Sequence, residues 1–312
     1  MTRLLVGLGS VLAILAGLFV LSRWELSQTE ARYPPIGEQM QLVGFRLHYV
    51  EAGTGPAIVL IHGSSTNLRD FTSSIFDPLK QRCRVVVFDR PGHGYSTYPG
   101  KFWMDPADQA AAIRDALKQL EIERAVWVGH SWAGAVVMAG LLEFPDDVVG
   151  GVLLSGAAYH WQGGVAWPNH LVDTPAIGRL FVNALLMPFG RLLMDGKIAA
   201  AFEPNEPPPN YRQRTGIDLV LRPVQFTRNG RDVRLLSDFL ERQSKRYPSI
   251  DQPLLMIHGR DDDIVPAWNH ADRLVDLLPQ AMLSELPGTG HAPHHVHTDE
   301  VARQIAEFAC SA

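Results

Sequence analysis

The sequence predicts an open α/β fold, in which a mostly parallel, doubly wound sheet carries helices on both faces. Short, nearly continuous apolar runs alternate with stretches long enough for helices, a pattern typical of parallel strands that are buried on both faces. A glycine or a polar residue closely follows each run, and ligands of such sheets bind beyond the carboxyl ends of the strands. The predicted strands are residues 57–61, 84–88, 125–128, 152–154, 254–257 and 282–286, and the predicted helices are residues 70–81, 106–120, 132–143, 267–278 and 298–309.

Composition excludes several classes of function. Of the 312 residues, 46% are hydrophobic and 20% are charged, so the chain can bury a sizeable core and is not expected to be disordered. The formal charge of −5 shows no basic excess, which argues against nucleic acid as a partner. Cys83 and Cys310 show no metal-ligand spacing, and we expect both to be unpaired, packed thiols.

The N-terminal residues predict a membrane anchor. Leu4 to Leu21 contains no charged residue, with Arg3 before it and Arg23 after it. Eighteen helical residues span about 27 Å, close to one hydrocarbon thickness. No small-x-small cleavage site follows, so residues 1–22 are predicted to be an uncleaved, single-pass anchor rather than a cleaved signal peptide; a buried core helix is a third interpretation.

The rest of the chain divides into a tether, a core and an insertion. Residues 23–40 are polar and contain prolines and a glycine, which predicts a tether. The core is predicted at residues 41–156 and 251–312, and it opens with a hairpin around Gly44. Between residues 157 and 250 the strand–helix alternation breaks. Because this stretch is inserted at the carboxyl end of a strand, we expect a helical cap over the site, the alternative being an insertion that lies away from it.

A serine on a tight strand-to-helix turn is the strongest chemical signal. A nucleophile elbow needs small residues two positions before and two positions after its serine, and Gly129 and Ala133 flank Ser131 in that way. Ala133 departs from the strict Gly-x-Ser-x-Gly pattern, and a helix N-cap is the structural alternative for Ser131. The whole run is Gly129-His130-Ser131-Trp132-Ala133-Gly134.

Four further motifs follow other strands. They are His62-Gly63, Asp89-Arg90-Pro91-Gly92-His93-Gly94-Tyr95-Ser96, Gly259-Arg260-Asp261-Asp262-Asp263-Ile264-Val265-Pro266 and Gly288-Thr289-Gly290-His291. Each motif is weak alone, but with the elbow they make five in the right order, each at a strand end. From about residue 41 to residue 309 the chain therefore resembles the α/β-hydrolase superfamily. The resemblance implies a serine hydrolase that uses no cofactor.

The resemblance also assigns the other two members of a catalytic triad. The family pattern Gly-x-x-Asp-x-x-Val-Pro selects Asp262, which leaves Asp261 and Asp263 as solvated loop carboxylates. The family ending Gly-x-Gly-His selects His291, which completes the chain order Ser, Asp, His. Asp89 resembles the structural aspartate that organises its own glycine-rich turn.

The resemblance also implies an oxyanion hole made of two backbone N–H groups. One donor is the N–H of Trp132, next to the nucleophile, and the other comes from the loop after His62-Gly63. Ser64 is the predicted second donor, with Ser65 close behind. His62 is expected to support this loop.

The remaining histidines are not predicted to bind metal. His294, His295 and His297 crowd near the predicted base, but the sequence pairs them with no cysteine and with no carboxylate at helical spacing. They are expected to be loop or helix-start residues, and His130 is expected to pack beside the elbow.

These residues predict hydrolysis of a small-molecule substrate through an acyl-enzyme on Ser131, with His291 as general base and acid. Aromatic and aliphatic residues of the predicted cap suggest a partly apolar ester or lactone; they are Trp161, Trp167, Phe181 and Leu185.

Other reactions share the same residues. Relatives with a serine triad cleave carbon–carbon bonds or act as cofactor-free haloperoxidases, and the fold does not separate these activities. Epoxide hydrolases and haloalkane dehalogenases resemble the chain too, but that resemblance implies an aspartate where this chain has Ser131. A binding module without activity is a further alternative. The anchor suggests in addition that substrates derive from lipid, unless it serves only to locate the enzyme.

Overall fold

An eight-stranded, mostly parallel sheet forms the centre of the molecule. The computed structural model describes residues 2–100 and 103–312; Met1 of the predicted anchor lies outside them. The strand order is β1-β2-β4-β3-β5-β6-β7-β8. Only β1 with β2 and β2 with β4 pair antiparallel in the described chain, and the other neighbours are parallel. The predicted fold is confirmed. The strands are β1 (Glu38–Leu42), β2 (Phe45–Ala52), β3 (Ala57–Ile61), β4 (Arg84–Phe88), β5 (Ala125–His130), β6 (Val148–Leu154), β7 (Leu254–Gly259) and β8 (Ala281–Leu286).

Helices cover both faces of this sheet. The α-helices are α1 (Thr2–Arg32), α2 (Arg69–Thr72), α3 (Phe76–Leu79), α4 (Pro106–Gln119), α5 (Gly134–Glu143), α6 (Pro168–Leu171), α7 (Ile177–Leu180), α8 (Leu186–Phe202), α9 (Tyr211–Thr215), α10 (Pro223–Gln243), α11 (Ala271–Leu277), α12 (Pro293–Val296) and α13 (Thr298–Ser311). Short 3₁₀ segments lie at Ser131–Ala133, Ile217–Leu221, Ser244–Ser249 and Ala267–Asn269, and a π-helical turn at Phe181–Leu185.

Two apolar cores, one on each face, hold these layers together. All six residues of β5 are buried, and successive strand residues point to opposite faces. Val59 and Trp127 belong to the core that α4 and α5 complete, whereas Ile58 and Val126 belong to the core that α3 and α13 complete. Burial on both faces explains why these strands appear in the sequence as continuous apolar runs instead of alternating ones.

The two cysteines are unpaired, as the sequence predicts, but they differ in burial. Cys83 is buried directly before β4, whereas Cys310 is exposed near the end of α13. The expectation of a packed thiol is therefore correct for Cys83 and wrong for Cys310, which lies on the solvent side of an amphipathic helix.

The N-terminal helix extends farther than the sequence predicts. α1 continues to Arg32, so residues 23–32 of the predicted tether are helical. This part of the chain contains strong helix formers such as glutamate, leucine, glutamine and alanine, and its first proline is Pro34. β1 begins at Glu38. The structure therefore corrects the tether of residues 23–40 to a linker of residues 33–37.

The insertion between β6 and β7 is helical and lies over the carboxyl edge of the sheet. Residues 157–250 hold α6 to α10, and α8 and α9 contribute Met187, Phe202 and Tyr211 to one apolar cluster. Ala292, the residue after the predicted base, belongs to the same cluster. The insertion therefore packs against the loop that carries His291.

Candidate active site

The turn between β5 and α5 holds Ser131 in a strained backbone conformation. Its φ is 54°, a value that residues other than glycine adopt at a cost of about 1–3 kcal/mol. A Cβ added to Gly129 would lie 2.5 Å from the carbonyl oxygen of Ala133, so a larger residue does not fit there. The turn has the tightness that the nucleophile elbow pattern predicts.

The structure brings Ser131, His291 and Asp262 together from three distant parts of the chain. His291 Nε2 lies 2.8 Å from Ser131 Oγ, and His291 Nδ1 lies 2.8 Å from Asp262 Oδ2. Nδ1–H donates to the carboxylate, which leaves Nε2 as the acceptor of the serine proton. All three side chains are buried. This order of hydrogen bonds is the one that general-base activation of a serine needs.

Asp262 differs from its two neighbours in burial and in hydrogen bonding. Its Oδ1 accepts the backbone N–H groups of Ile264 and Val265, both at 2.9 Å, so Oδ2 is left to face His291. Asp261 and Asp263 are exposed. Burial alone would raise the pKa of Asp262, but the charge and hydrogen bond of His291, together with the backbone donors, lower that pKa below its ordinary value.

The predicted oxyanion donors lie at the same cavity as the serine. Ser64 and Trp132 line it together with Ser131. The N–H of Ser65, the second choice from the sequence, already donates to Asn229 Oδ1 at 2.6 Å, so it is occupied. Ser64 and Trp132 therefore stay the predicted donors.

This cavity has a volume of about 800 Å³ and a mixed lining. Its walls come from the elbow, the loop after β7 and the insertion. Apolar residues and polar or charged residues both line it, and they can contact a small molecule with both kinds of group. The lining residues besides Ser64, Ser131 and Trp132 are Ala157, His160, Trp161, Gln162, Val165, Ala166, Asn169, Val233, Leu236, Asp263, Ile264, Val265, Pro266, Trp268, Asn269, His270 and Arg273.

Comparison with known protein families shows the family of this chain. A family model described as alpha/beta hydrolase fold matches residues 56–298, which is most of the chain. The chain belongs to the α/β-hydrolase family. The match includes the elbow, Asp262 and His291, so the candidate site lies where the family model aligns.

Relatives of this hydrolase differ in the reactions that their names state. Haloalkane dehalogenase 2 of Mycobacterium tuberculosis is 27% identical over 272 residues, covering 84% of this chain and 91% of the relative. The 2-hydroxymuconate semialdehyde hydrolase of Pseudomonas sp. (strain CF600) is 25% identical over 293 residues, covering 89% and 95%. A solved structure of Est816, an N-acyl homoserine lactone degrading enzyme, is 25% identical with a TM-score of 0.66, covering 87% of this chain and 100% of its own.

Asp89 organises the glycine-rich loop of the hydrolase by accepting three hydrogen bonds. Its carboxylate receives the N–H groups of Leu68 at 2.8 Å and Tyr95 at 2.7 Å, and His48 Nδ1 lies 2.6 Å from Oδ2. A Cβ on Gly94, whose φ is +49°, would lie 1.9 Å from the same carboxylate. These contacts fit the structural role that the resemblance implies for Asp89.

A buried ion pair joins this loop to the insertion, and sequence reasoning missed it. Arg90 is fully buried, its Nη1 lies 2.8 Å from Asp232 Oδ2 on α10, and its guanidinium lies 4.1 Å from the centre of the Trp132 ring. The indole N–H of Trp132 donates to the carbonyl oxygen of Asp232 at 2.9 Å. Arg90 and Asp232 therefore fix the residue that supplies a predicted oxyanion donor. The signal in the sequence is the helical spacing of Asp232 with Leu236 and Phe239, which puts the aspartate in line with buried apolar residues of α10.

The buried carboxylate of Asp70 hydrogen-bonds to the two histidines His294 and His295, which closely follow His291. His294 Nε2 lies 3.1 Å from Asp70 Oδ2, and His295 Nε2 lies 2.8 Å from Oδ1. The hydroxyl of Tyr211 donates to Oδ1 at 3.2 Å. Burial would raise the pKa of Asp70, but the two imidazoles hold it well below its ordinary value.

Asp70, His294 and His295 are also the residues that could hold a metal in the described chain. Their ligand atoms lie within 4.8 Å of one another. Those same atoms hydrogen-bond to each other, whereas the buried Nδ1 of His294 has no hydrogen-bond partner among the described residues. The sequence placed no carboxylate beside these histidines because Asp70 lies more than 220 residues away from them.

Proposed function

We propose that this protein is a serine hydrolase that cleaves a partly apolar ester or lactone through an acyl-enzyme on Ser131. The observation that carries the proposal is the unbroken hydrogen-bond sequence from Ser131 through His291 to Asp262, with 2.8 Å at each step. The neighbouring cavity of about 800 Å³ gives a small carbonyl compound room to approach the serine.

The proposed reaction follows from the positions of these groups. Ser131 Oγ attacks the carbonyl carbon while its proton passes to His291 Nε2, and the carbonyl oxygen becomes an oxyanion. The N–H groups of Ser64 and Trp132 stabilise that oxyanion; losing one such donor typically costs about 100- to 1000-fold in rate. His291 then protonates the leaving alcohol. A water molecule that gives its proton to His291 attacks the acyl-enzyme, and the acid leaves as Ser131 regains its proton.

The cavity lining supports a substrate with an apolar body. Trp161, Val165, Leu236 and Trp268 offer apolar surface, and His160, Asn169 and Arg273 offer a few polar contacts. The likeness to Est816, a lactone degrading enzyme, adds weight to esters and lactones over other carbonyl compounds.

A carbon–carbon bond hydrolase is the second candidate, and the 2-hydroxymuconate semialdehyde hydrolase relative favours it. The same serine, base and acid serve either reaction, and the fold does not separate them. Haloperoxidase activity is a weaker alternative on the same residues. The dehalogenase relative gives weaker support to dehalogenation as a function, because resemblance to dehalogenases implies an aspartate at the elbow, where this chain has Ser131.

We propose further that α1 anchors the enzyme in a membrane. Residues 9–32 of α1 have a mean hydropathy of 1.5 in their most apolar window, of which 11% is buried within the molecule. A helix that leaves so much apolar surface uncovered is stable in a bilayer and costly in water. Trp24, 59% exposed and next to Arg23, suits the membrane–water interface. Extraction of vesicles with alkaline carbonate, which releases proteins that are not embedded, tests the anchor.

A substrate panel on the full chain in detergent tests the proposed reaction. The panel holds short nitrophenyl esters, lactones and a vinylogous diketone. We expect turnover of an ester or lactone that falls about 10⁴-fold or more in Ser131→Ala, because the nucleophile is lost. Ser249→Ala, on the exposed 3₁₀ segment before β7, is the matched control and should keep full turnover. Undiminished ester hydrolysis by pure Ser131→Ala would refute the proposal, and turnover of the diketone alone would favour the second candidate.

A further inference from the structure

α1 packs against the insertion along one helical face. The side chains that face it are at helical spacing, three or four residues apart, and become less exposed than their neighbours. Two ion pairs continue the contact near the end of α1. Glu25 Oε1 lies 3.7 Å from Arg191 Nη1, and Glu30 Oε1 lies 3.7 Å from Arg222 Nη1. The packed face of α1 consists of Leu15, Leu18, Ser22, Leu26 and Thr29.

This face begins inside the apolar segment that is proposed to span the membrane. Leu15 lies six residues before Leu21, which corresponds to about 9 Å along the helix. In the insertion, α1 contacts mainly the π-helical turn Phe181–Leu185 and α8, and also the 3₁₀ segment Ile217–Leu221. If Leu4 to Leu21 lies in hydrocarbon, these parts of the insertion lie at the depth of the outer part of the bilayer.

The insertion exposes large apolar side chains on α8 and on α7, the helix directly before the π-helical turn. Leu192 is 79% exposed, and the others are between 43% and 63% exposed. Residues 189, 192 and 193 are at helical spacing and form one face of α8. We name this set the cap apolar face; it consists of Ile177, Leu180, Phe189, Leu192 and Leu193.

The opposite side of α8 packs on protein. Met187, Met194 and Ile198 are buried in the apolar cluster of the insertion. Residues 177–202 have a mean hydropathy of 1.3 in their most apolar window, of which one third is buried. α8 also carries the charged residues Arg191, Asp195 and Lys197, which are costly inside hydrocarbon, so we place it along the bilayer surface.

We infer that the cap apolar face is immersed in the lipid bilayer beside α1, so that the insertion touches the membrane as well as the anchor. The inference rests on the proposed anchor. The bilayer is the occupant because the contact with α1 places this face at membrane depth, where water-soluble partners do not reach. Since the insertion also lines the cavity of Ser131 through Val165, Ala166 and Asn169, the immersed face sets the active site close to substrates dissolved in lipid.

Site-directed fluorescence on the full chain in vesicles tests this immersion without using activity. A polarity-sensitive probe is attached at Leu192→Cys, with Val43→Cys as the matched control, because Val43 is 98% exposed in the turn between β1 and β2. Both variants also carry Cys310→Ser, since Cys310 is exposed while Cys83 is buried. Leu192 is itself exposed, so the change removes little packing.

We expect the probe at residue 192 to be quenched by lipids with a spin label on the acyl chain and shielded from aqueous iodide, with the opposite pattern at residue 43. Iodide quenching at residue 192, in protein that resists carbonate extraction, would overturn the inference while leaving the anchor intact. Release by carbonate would overturn both. Shielding from iodide without lipid quenching, together with cross-links between copies, would assign the face to a second copy and overturn the inference. The ester assay reports separately on the proposed reaction.

Discussion

At the scale of single residues, the local hydrogen bonds of Asp262 separate it from two identical neighbours. Ile264 and Val265 hold one carboxylate oxygen, and His291 faces the other. The exposed neighbours Asp261 and Asp263 make no comparable contact with the base. A carboxylate in this position keeps the imidazole in the tautomer that accepts the serine proton, and it stabilises the imidazolium that follows.

Replacing this aspartate tests its assignment. We expect Asp262→Asn to lower kcat about 10⁴-fold while KM changes little, because the amide favours the wrong imidazole tautomer and carries no charge. Steady-state ester kinetics at pH 7.5 measure both constants. Asp261→Asn, an adjacent and exposed change of the same kind, should leave kcat unaltered. If Asp261→Asn lowers kcat and Asp262→Asn does not, the assignment of Asp262 as the acid is wrong.

The sequence predicted the candidate site residues that belong to short local motifs. It did not predict the pairs of residues that lie far apart in the chain and meet only in the folded molecule. Ser131, Asp262 and His291 each follow a strand in a short motif, so their meeting at one sheet edge could be expected. The pairing of Arg90 with Asp232 joins residues 142 positions apart, and that of Asp70 with His294 joins residues 224 positions apart. No local spacing encodes such partners.

At the scale of elements, the elbow depends on backbone-to-backbone contact between β5 and the turn after it. A Cβ on Gly129 would meet the carbonyl oxygen of Ala133 at 2.5 Å and the Val137 side chain at 2.7 Å. Because this carbonyl group is part of the turn itself, it cannot shift without distorting the turn. The elbow therefore tolerates no larger residue at position 129.

Gly129→Ala should therefore destabilise the protein by about 1–3 kcal/mol or more, the usual cost of overpacking. It should also displace Ser131 and lower ester turnover. Thermal unfolding followed by circular dichroism measures the stability. Gly196→Ala is the control: Gly196 lies within α8 with no heavy atom within 4 Å of an added Cβ, so alanine should stabilise by about 0.5–1 kcal/mol. Equal stability of Gly129→Ala and the native chain would show that the elbow is looser than described.

The sequence predicted some elements closely, such as α4 at residues 106–119, and others poorly, such as β6, which begins at Val148 and not at residue 152. The predicted run 57–61 and the predicted run 84–88 coincide with β3 and β4, because continuous apolar burial leaves a clear sequence pattern. The predicted helix 70–81 instead forms two single turns, α2 and α3, separated by residues 73–75. The hydroxyls of Ser73 and Ser74 bond backward to backbone carbonyls. Serines that satisfy the backbone in this way compete with regular helix.

At the scale of the whole molecule, buried neutral histidines make stability depend on pH. Burial lowers the pKa of His62 to about 4 and that of His270 to about 3. His62 Nε2 accepts the N–H of Arg90, and His270 Nδ1 accepts the N–H groups of Ala158 and Tyr159. Protonation would abolish these acceptors. In the unfolded chain both groups titrate near pH 6.5, so between pH 6.5 and about 4 the unfolded state binds more protons and acid favours unfolding.

The free energy of unfolding should therefore fall by about 1 kcal/mol for each of these histidines between pH 7 and pH 5.5. Urea unfolding of the full chain in detergent at the two pH values measures the change. The variant His270→Asn does not titrate in this range, so it should show about 1 kcal/mol less pH dependence than the native chain, whatever its overall stability. The same pH dependence in both proteins would contradict a buried neutral His270.

Labelling with a fluorophosphonate tests most directly the claim that Ser131 is a nucleophile activated by His291 and Asp262. Intact mass spectrometry and peptide mapping of the native full chain should show one phosphonyl group per molecule, on Ser131. The label should be absent from Ser131→Ala and greatly slowed in His291→Gln. A chain that hydrolyses esters while Ser131 stays unmodified, or that carries the label on another residue, would contradict the proposed mechanism.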